Sequence, residues 1–324
     1  MHILDELKYS IRHRWGTQLA LLIAYILLIV FFSIASPVFL SFSNFMNILS
    51  YSSVIGVTAV AMCFGLISGS LDLSVGSTIA LTGIVIAQVI PDIGTVPAIL
   101  VGLCVGALCG AFNGFIVTKG KIIPLIATLG TMSVFRGFTY LLADGKSIMI
   151  TQDSFKKIGR SYIGGAVPVT VLILVAAFII GWIVLSKTNF GRTLYSVGGN
   201  SKASYLAGIN IKKNRFITFI IIGIMASVSG LISTAQTGSG IPQAATGTEL
   251  DIMAAVILGG TSLAGGKGSM AGTFIGLLIL TTLSNGMVLL NIPSFWQMVA
   301  KGSVLIIAVY IDVIRGGGFE RFEE

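Results

Sequence analysis

The chain has 324 residues, of which 55% are hydrophobic and only 10% charged, with 40 glycines and a mean hydropathy of +0.97. A soluble surface uses roughly 25% charged residues, so this composition excludes a water-soluble fold and, with it, soluble enzymes, nucleic-acid readers and disordered regulators. The net charge of +8 resides in short segments between apolar runs, a membrane-protein pattern rather than a nucleic-acid surface.

The first 16 residues form a tail of mixed charge, with Lys8, Arg12 and Arg14 ahead of the first apolar run at 19–40. That run is about 33 Å long at ~1.5 Å per residue, enough for one crossing, and lacks a small-residue cleavage site. No Lys or Arg occurs between Trp15 and Thr118, so turn chemistry divides this stretch, at 41–47, 68–77 and 91–94. Helices are predicted near 45–67, 77–90 and 95–118, then near 122–142, 167–186, 216–235, 250–263, 269–290 and 295–313. With the first run these make about ten spans, of which the two shortest, 77–90 and 250–263, are candidates for broken or re-entrant helices. The expected fold is an all-α integral membrane protein, its transmembrane domain over 17–315 and its tails over 1–16 and 316–324.

Placing the N-terminus in the cytoplasm puts fourteen Lys and Arg on cytoplasmic segments and four outside (Lys146, Lys156, Lys157 and Arg160), the asymmetry that this orientation requires. Both termini are then cytoplasmic. Arg136 and Lys301 fall within spans. Three inter-span segments are long: 143–165 outside, the basic 187–215 inside, and the Gly/Thr/Gln-rich 234–249 outside. In a protein of short turns, long ordered loops are where partners touch.

Cys63, Cys104 and Cys109 lie in apolar stretches and read as packing residues. The two histidines, His2 and His13, are in the tail, so the spans hold none for catalysis or zinc. No catalytic residue, metal or cofactor is expected. Gly102, Gly106, Gly110 and Gly114 share one helix face, and Gly268, Gly272 and Gly276 repeat the spacing, a pattern that lets backbones approach closely. Asp72 sits among Ser68, Ser70, Ser74 and Ser77 and can cap the following helix or meet a hydroxyl-rich solute. The Gly-rich 258–269 segment fails as a phosphate loop, since Gly268 follows Lys267 where Ser or Thr is needed. At an offset of 192, Ser70, Leu71, Gly76 and Ser77 match Ser262, Leu263, Gly268 and Ser269, two breaks of the kind that frame a transport path.

The 189–210 stretch reads as a short amphipathic helix, with Asn200 or Ser201 able to cap its start and Gly208 its end. Tyr195, Tyr205 and Leu206 would be costly to display without a soluble partner. Together with Leu71-Asp72-Leu73-Ser74-Val75-Gly76-Ser77 and Leu258-Gly259-Gly260-Thr261-Ser262-Leu263, the stretch Phe190-Gly191-Arg192-Thr193-Leu194-Tyr195 resembles the permease subunits of the ribose/xylose/galactose class of bacterial ABC importers. The likeness spans roughly 17–315. It implies an ABC importer permease fold in the bacterial inner membrane, a dimer with a second permease chain, a cytoplasmic ABC ATPase subunit and an extracytoplasmic sugar-binding protein. On this likeness 191–209, with Gly191, Arg192, Tyr195, Gly198, Asn200, Ala203 and Gly208, couples to the ATPase. Asp72, Ser74, Ser77, Thr261 and Ser262 then flank the substrate path. Ser204 departs from relatives that carry a second alanine. The alternative is an ion-coupled secondary transporter using Asp72, Asp251 or Asp312; an intramembrane enzyme lacks the residues it would need.

Overall fold

Helix boundaries follow local chemistry along the chain. The computed structural model describes the backbone of residues 2–315 and the side chains of residues 19–314, so the 316–324 tail lies outside the described residues. The elements are α1 (His2–Ala35), α2 (Phe42–Ser68), α3 (Val75–Ile93), α4 (Thr95–Thr118), α5 (Pro124–Leu142), β1 (Ile148–Met149), α6 (Asp153–Arg160), β2 (Tyr162–Ile163), β3 (Val167–Pro168), α7 (Val169–Lys187), α8 (Asn189–Gly199), α9 (Ser201–Leu206), α10 (Ile211–Thr237), β4 (Ser239–Gly240), α11 (Thr248–Leu258), α12 (Met270–Leu289) and α13 (Ser294–Arg315). Ser41 caps α2 by accepting from the Asn44 amide, and Gly69, at φ +71°, ends it. Pro124 opens α5, where its missing N–H leaves no helical bond unmade.

Among the described residues, eight helices are long and apolar enough to cross a membrane: α2, α3, α4, α5, α7, α10, α12 and α13. A shorter apolar stretch, Leu19–Ala35, ends α1, whose helix continues back through the predicted tail. Two predicted spans differ. The helix expected at 77–90 is full length, because Pro91 falls in its last turns and Gly94, at φ +79°, makes the break. The span expected at 250–263 is instead α11, whose 11 residues cover about 16 Å, half of a ~30 Å hydrocarbon core. Gly259 and Gly260, the latter at φ +86°, halt the helix although the apolar composition continues.

α2 runs through the centre, with 78% of its apolar window buried, and α13 lies outermost with 6%. The outer helices turn Leu108, Phe112, Leu141, Ile180 and Trp296 outward, a surface suited to lipid. α10 packs along α4 and α2. Gly106 of α4 faces Gly223 of α10 so closely that a Cβ on either would overlap the other's carbonyl. Gly110 lies on Phe219 and Gly114 on Phe216, while Gly102 receives Ile86 and Thr82 of α3. Gly272 and Gly259 repeat the reciprocal contact between α12 and α11, and Gly276 sits on the Ala255 carbonyl. Buried hydroxyls bond back to their own helix or across to a neighbour, as Ser52 does to Ile48 O at 2.7 Å and Thr281 Oγ1 at 2.9 Å.

The chain makes two irregular excursions between helices. Thr58 of α2 bonds Ser229 of α10, and Ile79 of α3 lies beside Gly230, so the three helices share one level there. α2 continues to Ser68 beyond that level but α3 begins at Val75, so 69–74 climbs back about 9 Å beside α2. At the other end of the bundle, β4 pairs with β1, and 238–247 then descends along α3 from Ala87, against Gly240, to Gly76, against Ala245. That descent covers about 16 Å of α3.

Candidate functional site

Three segments from distant parts of the chain converge at the α8/α9 end of the bundle. The Schellman-like end of α2 uses Gly69 N to Leu66 O at 3.1 Å and Ser70 N to Gly65 O at 2.7 Å. The carbonyl of Ile67 is left without a helical partner, and Gly266 N from the 259–269 break donates to it at 2.8 Å. Gly198, near the end of α8, presses on the same pair: a Cβ there would overlap Ile67 O and lie 2.6 Å from Gly266 N. Tyr195 Oη donates to Gly268 O at 2.9 Å. The end of α2 that leads into the first break therefore meets the second break in space, with α8 wedged against both. The two breaks are not equivalent in shape: 69–74 joins two long helices, whereas 259–269 follows a half-length one.

The 189–210 stretch forms two helices rather than one. Asn200, extended at φ −153°, ends α8 and caps α9 by accepting from Ala203 N at 2.9 Å. Gly191 abuts the end of α7, its amide capped by Thr188, and Arg192, exposed, bonds the Asn189 side chain. Gly208 follows α9 at φ +81° in open space. Ser204 is buried and hydrogen-bonds Ser196 at 2.8 Å, pinning α9 back onto α8. Ala203 is exposed, as are Tyr205 (72%) and Leu206 (85%), which present an apolar tip. Asn214 of α10, also buried, donates to Thr193 at 2.8 Å and ties the helix pair to the next span.

The five residues expected along a substrate path are all buried and engaged by protein. Asp72 accepts from Ser74 N at 2.8 Å, Ser74 Oγ at 2.7 Å and Asn113 Nδ2 at 3.0 Å. It therefore shapes the turn before α3 and fastens it to α4; it does not cap the first amides of α3. Ser77 donates to Met132 O of α5 at 2.8 Å. Thr261 lies 3.7 Å from the Cys63 sulfur, and Gly268 packs on Thr261 and Ile67. Ser262 Oγ and Leu263 N both donate to Asp312 Oδ2, at 3.1 and 3.0 Å, so α13 holds the 259–269 break.

Residues that sequence patterns passed over complete this framework. Asn113 bonds both Asp72 and Ser74, and its only sequence signal is an amide within a glycine-rich apolar helix. Arg136, noted only as a charge within a span, donates through Nη1 to Pro242 O at 2.7 Å and Ala244 O at 2.8 Å. Lys301 pairs with Asp251 at 2.8 Å, joining α13 to α11. On the opposite end of the bundle, in the 143–165 loop, Lys156 beside Asp153 holds that carboxyl below the usual carboxylate range.

This framework has close relatives. The family model described as "Branched-chain amino acid transport system / permease component" matches residues 44–309. The ribose import permease protein RbsC of Bacillus subtilis (strain 168) is 41% identical over 289 residues, covering 88% of this chain and 89% of its own. The L-arabinose transport system permease protein AraH of Escherichia coli (strain K12) is 38% identical over 309 residues, covering 94% and 93%. The probable ABC transporter permease protein YphD of the same strain is 36% identical over 299 residues, covering 92% and 90%. No solved structure gives a significant match. With its apolar spans, its glycine-packed core and a family match that runs from α2 into α13, the chain belongs to this family of transport-system permease components, multi-pass proteins of the bacterial inner membrane.

Proposed function

We propose that this chain is the membrane permease of a binding-protein-dependent ABC importer for a monosaccharide, ribose or a related sugar. ATP is hydrolysed on a separate cytoplasmic subunit. The ribose import name of RbsC, the L-arabinose transport name of AraH and the ABC transporter name of YphD support this reading. The observation that carries the mechanism is the junction of Gly198, Tyr195, Ile67 and Gly266. A displacement of α8 reaches α2 and the 259–269 break through backbone contacts with no compressible side chain between, so a push by an ATPase on the exposed α9 tip is passed on as a rigid shift. In this reading 187–215 and both termini face the cytoplasm, 143–165 meets the sugar-binding protein, and two permease chains pair around the path. The buried residues at 72, 74, 77, 261 and 262 shape that path rather than touch sugar directly. Hydrolytic chemistry has no part in this chain's role.

An ion-coupled mechanism is less well supported. Asp72, Asp251 and Asp312, the carboxylates it would use, are each held by protein donors. The test is uptake in proteoliposomes holding the permease, its ATPase and its binding protein. Uptake that needs a functional ATPase and survives collapse of ion gradients supports the proposal, and Gly191→Trp or Arg192→Glu is expected to abolish ATPase association with insertion unchanged. Solute accumulation by the permease alone, or uptake surviving ATPase inactivation, overturns it.

A further inference from the structure

One stretch of irregular backbone, 238–247, enters from the end of the bundle away from α8 and runs down along α3, and two charged residues grip it. Arg136 reaches from α5 and donates to the carbonyls of both Pro242 and Ala244. These carbonyls belong to neither helix nor strand, so the guanidinium supplies partners that the backbone itself does not. Ala245, next in the chain, takes φ +55°, a left-handed conformation that a non-glycine residue holds only under constraint from its surroundings. Glu249, in the first turn of α11, supplies the second grip. Its Oε1 accepts from Gly247 N at 3.2 Å, and its Oε2, buried without a hydrogen-bond partner, rests against Gly76 at the start of α3. The carboxylate thus lies where the first turns of α3 and α11 come together, both positive helix ends, and within electrostatic reach of Arg136. Gly76 has no room for a Cβ, which would overlap Glu249 Oε2 and lie 2.7 Å from Ala245 O.

From these contacts we infer that Arg136 and Glu249 are positioning residues that latch 238–247 across α3 and α5, and that this segment is a movable gate partway along the path. α3 and α5 are themselves joined by Ser77 to Met132 O, so the pair forms a fixed jamb. The head of the segment is held by the β1–β4 pairing, by Ile150 N to Gly238 O and by Thr237 Oγ1 to Ser239 O, but over 241–246 the bonds besides the latch are local turn bonds: Ala244 N to Ile241 O, Thr246 N and Oγ1 to Gln243 O, and Thr248 N to Ala245 O. Breaking the two Arg136 bonds and neutralising Glu249 leaves it anchored at its ends and loose between them. The inference rests on the transport reading above, because a gate presumes a path.

Hydrogen exchange on the assembled complex tests the latch without relying on transport. Arg136→Met and Glu249→Gln are each expected to speed amide exchange across 241–247 by about tenfold or more, with peptides of α2 and α4 unchanged, and Arg136→Lys to recover most of the protection. Unchanged exchange in both variants overturns the inference. If α2 and α4 also lose protection, the decisive measurement leaves the latch native and reads movement between the anchored ends. Gln243 is exposed in the middle of the segment, so Gln243→Cys, in a chain with Cys104→Ala, gives a thiol there that touches neither Arg136 nor Glu249. Its rate of reaction with a thiol reagent is expected to differ about tenfold between the ATP-bound and ATP-free assembled complex; equal rates overturn the gate. A chain whose uptake proves independent of ATP would refute the importer reading, while the exchange measurement would still report on the latch.

Discussion

At Gly198 the backbone carries the contact, and nothing larger fits. Gly198→Ala must push Ile67 O and Gly266 N apart, a cost of about 1–3 kcal/mol by the overpacking rule. Gly130 and Gly137 on α5 meet no neighbour at their Cβ positions, so Gly130→Ala is expected to leave the melting temperature unchanged or slightly raised, since alanine favours a helix by up to ~1 kcal/mol. Thermal denaturation of the solubilised complexes separates the two glycines, which sequence spacing alone does not rank. Asp72 offers a second comparison. Asn113→Ala removes a buried donor from the carboxylate and is expected to cost about 1–3 kcal/mol. Asn113→Asp sets a second carboxylate beside it and should cost more; a milder effect than alanine would contradict this geometry. Asp72 stood out in the sequence because a lone charge in an apolar run is conspicuous, whereas Asn113 did not, because a neutral amide 41 residues away gains meaning only when α4 packs beside the turn.

Among the elements, α9 and α13 each depend on a pair of side-chain anchors. α9 is six residues long, too short to persist without its cap and the Ser196–Ser204 bond. Asn200→Ala is expected to cost about 1 kcal/mol locally and to speed amide exchange over 201–206, with α8 unaffected. α13 is held to α11 and the following break by Asp251–Lys301 and by Asp312. Lys301→Met leaves a half-buried carboxylate short of its donor and is expected to destabilise by about 2 kcal/mol, and adding Asp251→Asn should recover part of the loss rather than double it. Additive losses in denaturation would show that the pair contributes nothing. The long helices were legible because turn residues bracket their apolar runs. α11 was over-extended because hydropathy continues past Gly259, where conformation rather than polarity ends the helix. The sequence places 234–249 outside as one long loop and cannot show that 238–247 descends along α3, because its partners Arg136, Gly83 and Gly76 lie about 100 residues or more away in sequence.

For the whole molecule, the orientation inferred from charge makes a direct prediction. With Cys104 replaced, Lys146→Cys should react with a membrane-impermeant thiol reagent in intact cells, and Lys212→Cys only after permeabilisation. The reverse pattern would place α8 and α9 away from the cytoplasm and sever them from any ATPase. By itself the sequence determined that the chain lives in lipid, roughly where its long helices run, and which segment resembles an ATPase-facing hairpin. Composition, hydropathy and turn chemistry act locally, so they are readable one window at a time. Only the tertiary structure decided that α8 abuts both the end of α2 and the 259–269 break, that α11 stops halfway, and that Arg136 and Glu249 hold the 238–247 descent. Each of those depends on which backbone groups are left without a partner in their own helix, and on what another part of the chain brings close enough to satisfy them.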